Sequence, residues 1–193
     1  MTETRLLAAD FRTVVELSAS HELAAEDART LARRAILEGV AQVVAEDKER
    51  ALSELPKIVG AAMKSFGWLW NGFYVLRDDG ALHLGPSCGP PVCTPLESSG
   101  GVLSSGMCFD ALHLNQTLVA YEAKAWPGYV SCDSTSGLGT VSGIVCPVRD
   151  EGGRPIAVWD LDATQRVEPA DVRFMDVLIA TLSHCTVPTP ADF

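Results

Sequence analysis

The amino-acid sequence predicts an α+β fold, in which helices near both ends of the chain enclose an antiparallel β-sheet. The first 50 residues are rich in Ala, Leu, Glu and Arg and contain no glycine before Gly39, a composition with high helix propensity. From Gly67 onwards, short apolar segments alternate with turn sequences, as in consecutive strands, and a helical pattern returns near Pro169. With 193 residues, 47% of them hydrophobic, the chain can fill one sizeable core.

Two helices are predicted in residues 1–50, with Ser20 as a candidate N-cap because an acidic residue follows it in the first helical turn. A further helix is predicted to begin at Ser53, since Ser53 precedes Pro56 and an apolar stripe at helical spacing. The stripe consists of Leu55, Ile58, Val59, Ala62, Met63 and Phe66. The last helix is predicted at about residues 169–185, because proline is tolerated in a first helical turn.

Two β-hairpins are predicted between the helices. The first joins residues 68–76 to residues 81–84 through a turn that ends in Gly80. The second joins residues 143–148 to residues 155–161. Both connections contain the Asp and Gly residues that tight turns favour.

Gly, Pro and Ser are concentrated in residues 85–106 and 125–143, which are predicted to be loops. Loops of this length are often functional. A short helix is predicted at residues 107–114 and a short strand at residues 117–121.

No repeat or linker indicates a second domain. Residues 1–52 are interpreted as an N-terminal helical extension packed on the domain, residues 53–187 as the domain itself, and residues 188–193 as a C-terminal tail. The extension is a candidate homodimer interface because of its apolar content.

The formal net charge is -10, and no stretch is dense in Lys or Arg. Such a charge repels phosphate backbones and anionic lipid surfaces, so neither nucleic acid nor a membrane is an expected partner. No apolar run approaches the roughly 20 residues of a membrane span. The N-terminus also lacks the basic segment and continuous apolar core of a secretory signal. A cytoplasmic protein is therefore expected.

Six cysteines are the main candidates for chemistry: Cys88, Cys93, Cys108, Cys132, Cys146 and Cys185. In a cytoplasmic protein such thiols are more often reduced, catalytic or metal-binding than part of a structural disulfide framework. Cys93, Cys108 and Cys132 lie in or beside the predicted loops, where a second thiol can reach an oxidised sulfur. Cys146 and Cys185 are expected to pack as small hydrophobes. Because no C-x2-C pair is present and the four histidines are isolated, neither a metal nor a cofactor is expected.

An ordered set of short motifs spans residues 68–182. It comprises Trp70-Asn71-Gly72-Phe73-Tyr74, Leu84-Gly85-Pro86, Pro91-Val92-Cys93-Thr94, Gly106-Met107-Cys108, Pro127-Gly128-Tyr129-Val130-Ser131-Cys132-Asp133-Ser134 and Val158-Trp159-Asp160-Leu161-Asp162. Together, in this order, these motifs resemble the single-domain GAF proteins that reduce free methionine-(R)-sulfoxide. The resemblance implies a GAF-like domain, with the N- and C-terminal helices packed on one face of a central antiparallel sheet and active-site loops on the other.

By this resemblance Cys132 corresponds to the family's catalytic cysteine, Cys93 to its main resolving cysteine and Cys108 to its third cysteine. A thiolate attacks the sulfoxide sulfur, methionine leaves, and a sulfenic acid remains that a second thiol condenses to a disulfide. A thioredoxin-like reductant then restores the thiols by exchange. Relatives of this kind are often homodimers.

Four further residues correspond to the family's substrate site. Trp70 and Tyr74 match the aromatic residues that line the methionine pocket, and Asp160 and Asp162 match its two carboxylates. Two positions apart on a predicted strand, the carboxylates point to one face, where one can donate a proton to the departing oxygen and one can hold the ammonium group. An exposed Trp70 is expected to offer the S-methyl group an apolar wall. Without the resemblance, the aromatic residues would be assigned to the core and the carboxylates to a solvated strand face.

Two segments depart from the family pattern. Residues 97–101 form an insertion between Cys93 and Cys108, which a flexible loop tolerates at small cost. Gly143 stands where the family has a glutamate that binds substrate. Glu97 and Asp133 are the candidates to replace that carboxylate.

Two other functions are compatible with the sequence. One is a non-catalytic GAF module that binds a small molecule such as a cyclic nucleotide. The other is a thiol-based redox sensor that uses the same cysteines without turning over methionine sulfoxide.

Overall fold

The structure, a computed structural model, describes residues 25–129 and 139–182. Ser20, Cys132, Asp133 and Cys185 lie outside these residues. The helices and strands, in chain order, are α1 (Ala25–Glu46), α2 (Lys48–Gly60), α3 (Met63–Phe66), β1 (Trp68–Leu76), β2 (Leu82–Cys88), α4 (Met107–Leu114), β3 (Leu118–Ala120), β4 (Ser142–Arg149), β5 (Pro155–Ala163) and α5 (Pro169–Leu182). A 3-10 helix, Ala123–Ala125, lies between β3 and β4.

Five strands form one antiparallel sheet in the order β2-β1-β5-β4-β3. The two predicted hairpins are confirmed as β1–β2 and β4–β5, and the predicted short helix and short strand as α4 and β3. β1 and β4 are buried along almost their whole length, because other elements cover both faces of the sheet.

One face of the sheet carries α1, α2 and α5, which enclose a closed apolar core. Ile36 of α1, Leu55 of α2 and Leu178 of α5 are buried there against Phe73 and Trp159 of the sheet. Each side chain of this size contributes about 1.5–3 kcal/mol when it is fully removed from water. This core packs the helices against the sheet on the side away from the opposite face.

The opposite face carries α4 and the loops that flank it. Phe109 and Leu112 of α4 pack with Leu118, Val145 and Val158 in a second, smaller apolar cluster. The predicted arrangement, with terminal helices on one face and loops on the other, is confirmed.

An ion-pair network joins α1 to α5. The guanidinium of Arg33, only 8% exposed, donates to Asp171 at 2.9 Å and lies over the ring of Phe66. Asp171 also accepts the backbone N–H of Glu168, immediately before α5, at 2.9 Å. This bond satisfies a free donor at the helix start, as in a capping box.

The start of α2 and the end of β2 differ from the sequence-based expectation. The expectation that a helix begins at Ser53 is wrong, because α2 begins at Lys48, where Asp47 accepts the backbone N–H of Arg50 and thereby caps the helix. Pro56 is therefore inside the helix. Strand β2 also extends to Cys88, four residues into the predicted loop, because β1 offers it a pairing edge.

Within the described residues, none of the helices combines the length and the apolar character that a bilayer span demands.

Candidate functional site

A cavity of about 250 Å³ lies on the α4 face of the sheet, above β1, β4 and β5. Residues from the loops, the 3-10 helix and α4 complete its lining: Val92, Cys93, Pro95, Leu96, Glu97, Ser105, Gly106, Met107, Cys108, Ala123, Tyr129 and Thr140. The described residues that line it include three carboxylates and two thiols but no Lys, Arg or His. A site of this composition attracts a positively charged or hydrogen-bond-donating group.

All the sequence-predicted site residues within the described part of the chain contribute to this cavity: Trp70, Tyr74, Cys93, Cys108, Asp160 and Asp162. They come from two strands, one loop and one helix that are far apart in sequence. Cys132 lies outside the described residues, but Tyr129, three positions before it, lines the same cavity.

The sheet register places the two carboxylates. Asp160 and Asp162 alternate along β5 and therefore face the same side of the sheet. Asp162 of β5 lies opposite Trp70 on one neighbouring strand, β1, and opposite Gly143 on the other, β4. The two carboxylates therefore lie on the central strand of the sheet.

Asp160 lies beside a thiol in the floor of the cavity. The Sγ of Cys108 donates a hydrogen bond to Oδ2 of Asp160 across 3.6 Å, a long contact that is acceptable for sulfur. Burial raises the pKa of Asp160 to about 7, although the contacts with Cys108 and the backbone of Leu161 act in the opposite direction. A carboxyl group with this pKa can exchange a proton near neutral pH.

The loop that carries Cys93 is fastened to the sheet. The hydroxyl of Tyr74 donates to the backbone carbonyl of Cys93 at 2.8 Å. Next to it, the hydroxyl of Thr94 accepts the backbone N–H of Leu84 at 3.0 Å, and Leu96 pairs with Leu82 in an isolated antiparallel bridge. Cys93, half-buried, is thus held at the cavity, although it lies in a Pro-rich loop.

The expectation of an exposed Trp70 is wrong, because this side chain is only 2% exposed. Its ring lies 5.7 Å from that of Tyr74, and both belong to the apolar cluster on the α4 face. Gly72 serves this packing: a Cβ there would lie 2.8 Å from the Trp70 ring and 2.5 Å from Cβ of Ser87. Trp70 therefore forms part of the cavity wall while most of its surface contacts protein.

Gly143 lies beside Asp162 at the edge of the cavity. A Cβ at this position would stand 3.1 Å from the carbonyl oxygen of Leu161 and 3.4 Å from Oδ1 of Asp162. A carboxylate there would repel Asp162. Glu97, an exposed residue of the inserted segment, also lines the cavity.

Two other cysteines lie away from the cavity lining. Cys146 is 1% exposed in the core under the helices, where burial raises its pKa to about 12. Such a thiol is inert at neutral pH. Cys88 ends β2 and packs near Gly60 of α2.

One functional candidate, Asp110, was missed by the sequence analysis. It is fully buried on α4 and accepts hydrogen bonds from the indole of Trp126 and the backbone N–H of Leu103. The available signal was a single acidic residue within the otherwise apolar start of this helix.

No family model matches the chain, but individual sequence relatives place it in a family. GAF domain-containing protein A of Dictyostelium discoideum is 30% identical over 135 residues, which are 69% of this chain and 79% of that protein. The free methionine-R-sulfoxide reductase of Saccharomyces cerevisiae is 26% identical over 122 residues, 61% of this chain. The aligned region is 63% of the yeast protein's length.

Solved structures agree with the sequence relatives. A GAF-domain structure superposes with a TM-score of 0.70 at 23% identity, over 86% of this chain and 91% of that one. The free methionine-R-sulfoxide reductase of Neisseria meningitidis, in complex with its substrate, superposes with a TM-score of 0.64 at 27% identity, over 78% of this chain and 86% of that one.

The antiparallel sheet, the helix-covered face and the cavity on the opposite face define a GAF domain, and the chain belongs to the GAF-domain family. Within this family, the resemblance to the free methionine-R-sulfoxide reductases that the sequence motifs indicated is confirmed.

Proposed function

We propose that this protein reduces free L-methionine-(R)-sulfoxide to methionine, with Cys132 as the attacking thiolate. The observation that carries the proposal is the convergence of two thiols, two aromatic rings and two carboxylates on one cavity. The similarity to reductases of yeast and Neisseria supports the same substrate.

The proposed chemistry needs a nucleophile, an oxygen acceptor and a second thiol. The Cys132 thiolate attacks the sulfoxide sulfur, and oxygen passes to the cysteine as a sulfenic acid while methionine leaves. The thiol of Cys93 then attacks the sulfenic sulfur, which forms a Cys93–Cys132 disulfide and releases water. A dithiol reductant of the thioredoxin kind restores both thiols by exchange and becomes a disulfide itself. Cys108 is the alternative resolving thiol.

Asp160 is the proposed proton donor. The departing sulfoxide oxygen must gain protons, and a carboxyl group with a pKa of about 7 is partly protonated at neutral pH. The nearby Cys108 thiol, 3.6 Å away, keeps a second exchangeable proton at the same place. In this scheme Asp162 accepts the substrate ammonium group.

The aromatic pair and the inserted segment complete the proposed substrate site. Trp70 and Tyr74 supply an apolar surface for the methyl and methylene groups of the substrate. Glu97 lies in a different segment of the chain from Gly143 but lines the same cavity, and it supplies the carboxylate that is missing at position 143.

We further propose that the domain itself comprises residues 53–187, between the N-terminal extension and the C-terminal tail. The first of these two boundaries falls within α2.

A turnover assay tests the proposal. The full-length protein is incubated with free L-methionine-(R)-sulfoxide and dithiothreitol, and methionine is quantified for wild type, Cys132→Ser and Cys88→Ser. Loss of turnover in Cys132→Ser, with activity retained in Cys88→Ser, is the expected result, because Cys88 does not line the cavity.

Two results contradict the proposal. Absence of turnover in wild type, with a Cys93–Cys132 disulfide that forms under peroxide, identifies a thiol redox sensor instead. Binding of a cyclic nucleotide that is unaffected by Cys132→Ser, again without turnover, identifies a non-catalytic GAF module.

A further inference from the structure

Two chain segments meet at one wall of the cavity. The first, residues 104–107, contributes Ser105, Gly106 and Met107 to the lining, and the second, residues 126–129, contributes Tyr129. Their backbones are in close contact: a Cβ on Gly128, whose φ is 71°, would lie 2.6 Å from the carbonyl carbon of Ser104. A glycine at this position is therefore required both for space and for the left-handed backbone.

A buried carboxylate lies behind this wall. Asp110 is fully buried on α4, two residues after Cys108. Its Oδ1 accepts the backbone N–H of Leu103 at 2.6 Å, and its Oδ2 accepts the indole N–H of Trp126 at 2.7 Å. Oδ2 thus holds the second segment through Trp126, and Oδ1 holds Leu103, the residue immediately before the first segment. Hydrogen bonds from N–H groups to a carboxylate are roughly twice as strong as neutral ones.

The backbone of Leu103 depends on this contact. Leu103 has a φ of 61°, a conformation that costs a non-glycine residue energy, and its side chain is 50% exposed. Burial of the Leu103 side chain therefore contributes little free energy to offset this backbone conformation. The bond from the Leu103 N–H to Asp110 compensates the backbone cost.

We propose that Asp110 is a positioning residue of the cavity, which fixes residues 104–107 and 126–129 against each other and thereby sets the wall that contacts substrate. The proposed redox chemistry does not involve Asp110 itself, because this residue is absent from the cavity lining and each of its oxygens accepts an N–H group of the protein. The kinetic part of the test rests on the proposed reductase function.

Asp171 offers a matched control for Asp110. Both are buried aspartates on helices, but Asp171 pairs with Arg33 under the other face of the sheet. Asp110→Asn and Asp171→Asn are each expected to lower the thermal midpoint. Only Asp110→Asn is expected to raise KM for free methionine-(R)-sulfoxide, by about tenfold, with kcat changed by less than about threefold, since misplacement of a binding wall weakens substrate positioning.

A milder variant covers the case in which Asp110→Asn does not fold. Trp126→Phe keeps the aromatic ring and removes one donor, and the expected rise in KM is about threefold. Equal KM shifts in the Asp110 and Asp171 variants, or an unchanged KM in both Asp110→Asn and Trp126→Phe, would overturn the proposal.

Two measurements need no turnover. The chain has four tryptophans, and Trp126→Phe assigns the indole N–H resonance of Trp126 in a proton–nitrogen spectrum. That resonance is expected to move upfield in Asp110→Asn and to stay in place in Asp171→Asn, while iodoacetamide labels Cys108 faster in Asp110→Asn alone. If wild type shows no turnover, the proposed function fails but these two measurements still decide the role of Asp110. An unmoved resonance with unchanged labelling of Cys108 excludes it.

Discussion

Cys146 and Cys108 are both buried thiols, but they lie over opposite faces of the same sheet. Cys146 is surrounded by the closed core under α1, α2 and α5, where burial raises its pKa to about 12. Cys108 is 9% exposed, borders the cavity and contacts a carboxylate. The two buried thiols therefore have different environments: one is filled with apolar side chains, and the other retains space and a proton-exchanging carboxyl group.

The same contrast applies to the sheet residues. Along β5, Trp159 and Leu161 point into the closed core, while Asp160 and Asp162 point into the cavity. A strand places successive side chains on opposite faces, so one segment stabilises the fold and builds the site at once. The helix-covered face is expected to control stability, and the α4 face to control activity.

The largest expected difference is in thiol reactivity. At pH 8, a thiol with a pKa of about 12 is ionised in only about one molecule in 10⁴. Cys146 is therefore expected to resist iodoacetamide in the native protein, whereas the half-buried Cys93 at the cavity reacts. Peptide mapping by mass spectrometry, with a urea-unfolded sample in which both cysteines react as control, measures the ratio. Rapid native labelling of Cys146 would remove the contrast.

Asp160→Asn is expected to lower kcat/KM about 10²-fold, because it removes the proposed proton donor without changing the size of the side chain. In wild type, kcat/KM is expected to fall as the pH rises through about 7, since Asp160 then loses its proton. This alkaline limb should be absent from the pH profile of Asp160→Asn.

The control for this prediction is Asp176→Asn, an exposed acid on α5 that bonds to Thr117. Its profile should retain the alkaline limb. An identical limb in Asp160→Asn would assign the titration to another group.

Two tryptophans separate stability from binding. Trp159→Ala, on the helix-covered face, is expected to cost about 3–5 kcal/mol of unfolding free energy, because it empties a fully buried site. Trp70→Phe, in the cavity wall, keeps an aromatic ring and is expected to cost less stability but to raise KM about fivefold. Urea unfolding and steady-state kinetics on both variants check the pair, and the reverse pattern would contradict the division between the faces.

The smallest expected effect comes from Glu97→Gln. Glu97 is exposed at the cavity, so solvent screens its charge, and the expected rise in KM is about threefold with kcat unchanged. Glu122→Gln, exposed but absent from the lining, is the matched control. A larger effect of the control variant than of Glu97→Gln would argue against a carboxylate role for the inserted segment.

Much of the fold was predictable from local patterns. Apolar alternation and turn sequences predicted both hairpins, and the residues of α4 and β3 were predicted closely. The start of α2 was not, because Asp47 caps that helix and burial of Ala51 and Leu52 favours the earlier turn over the start signal at Ser53. The length of strand β2 was underestimated, because its last residues adopt strand conformation through pairing with β1 and not through their own sequence pattern.

The candidate site likewise has features that the sequence predicts and features that depend on the tertiary structure. The sequence by itself determined which residue types are present, and the family resemblance carried by the motif order predicted which six of the described residues lie together. It also determined that Asp160 and Asp162 face one side, since their spacing matches the period of a strand.

Only the tertiary structure decided how those residues behave. The pKa of Asp160 depends on how deeply β5 lies in the fold, the burial of Trp70 depends on the close approach that Gly72 permits, and the role of Asp110 depends on two partners distant in space from its helix. Burial, electrostatic environment and hydrogen-bond partners arise from contacts between segments far apart in the chain, whereas periodicity and motif spacing are properties of each segment alone.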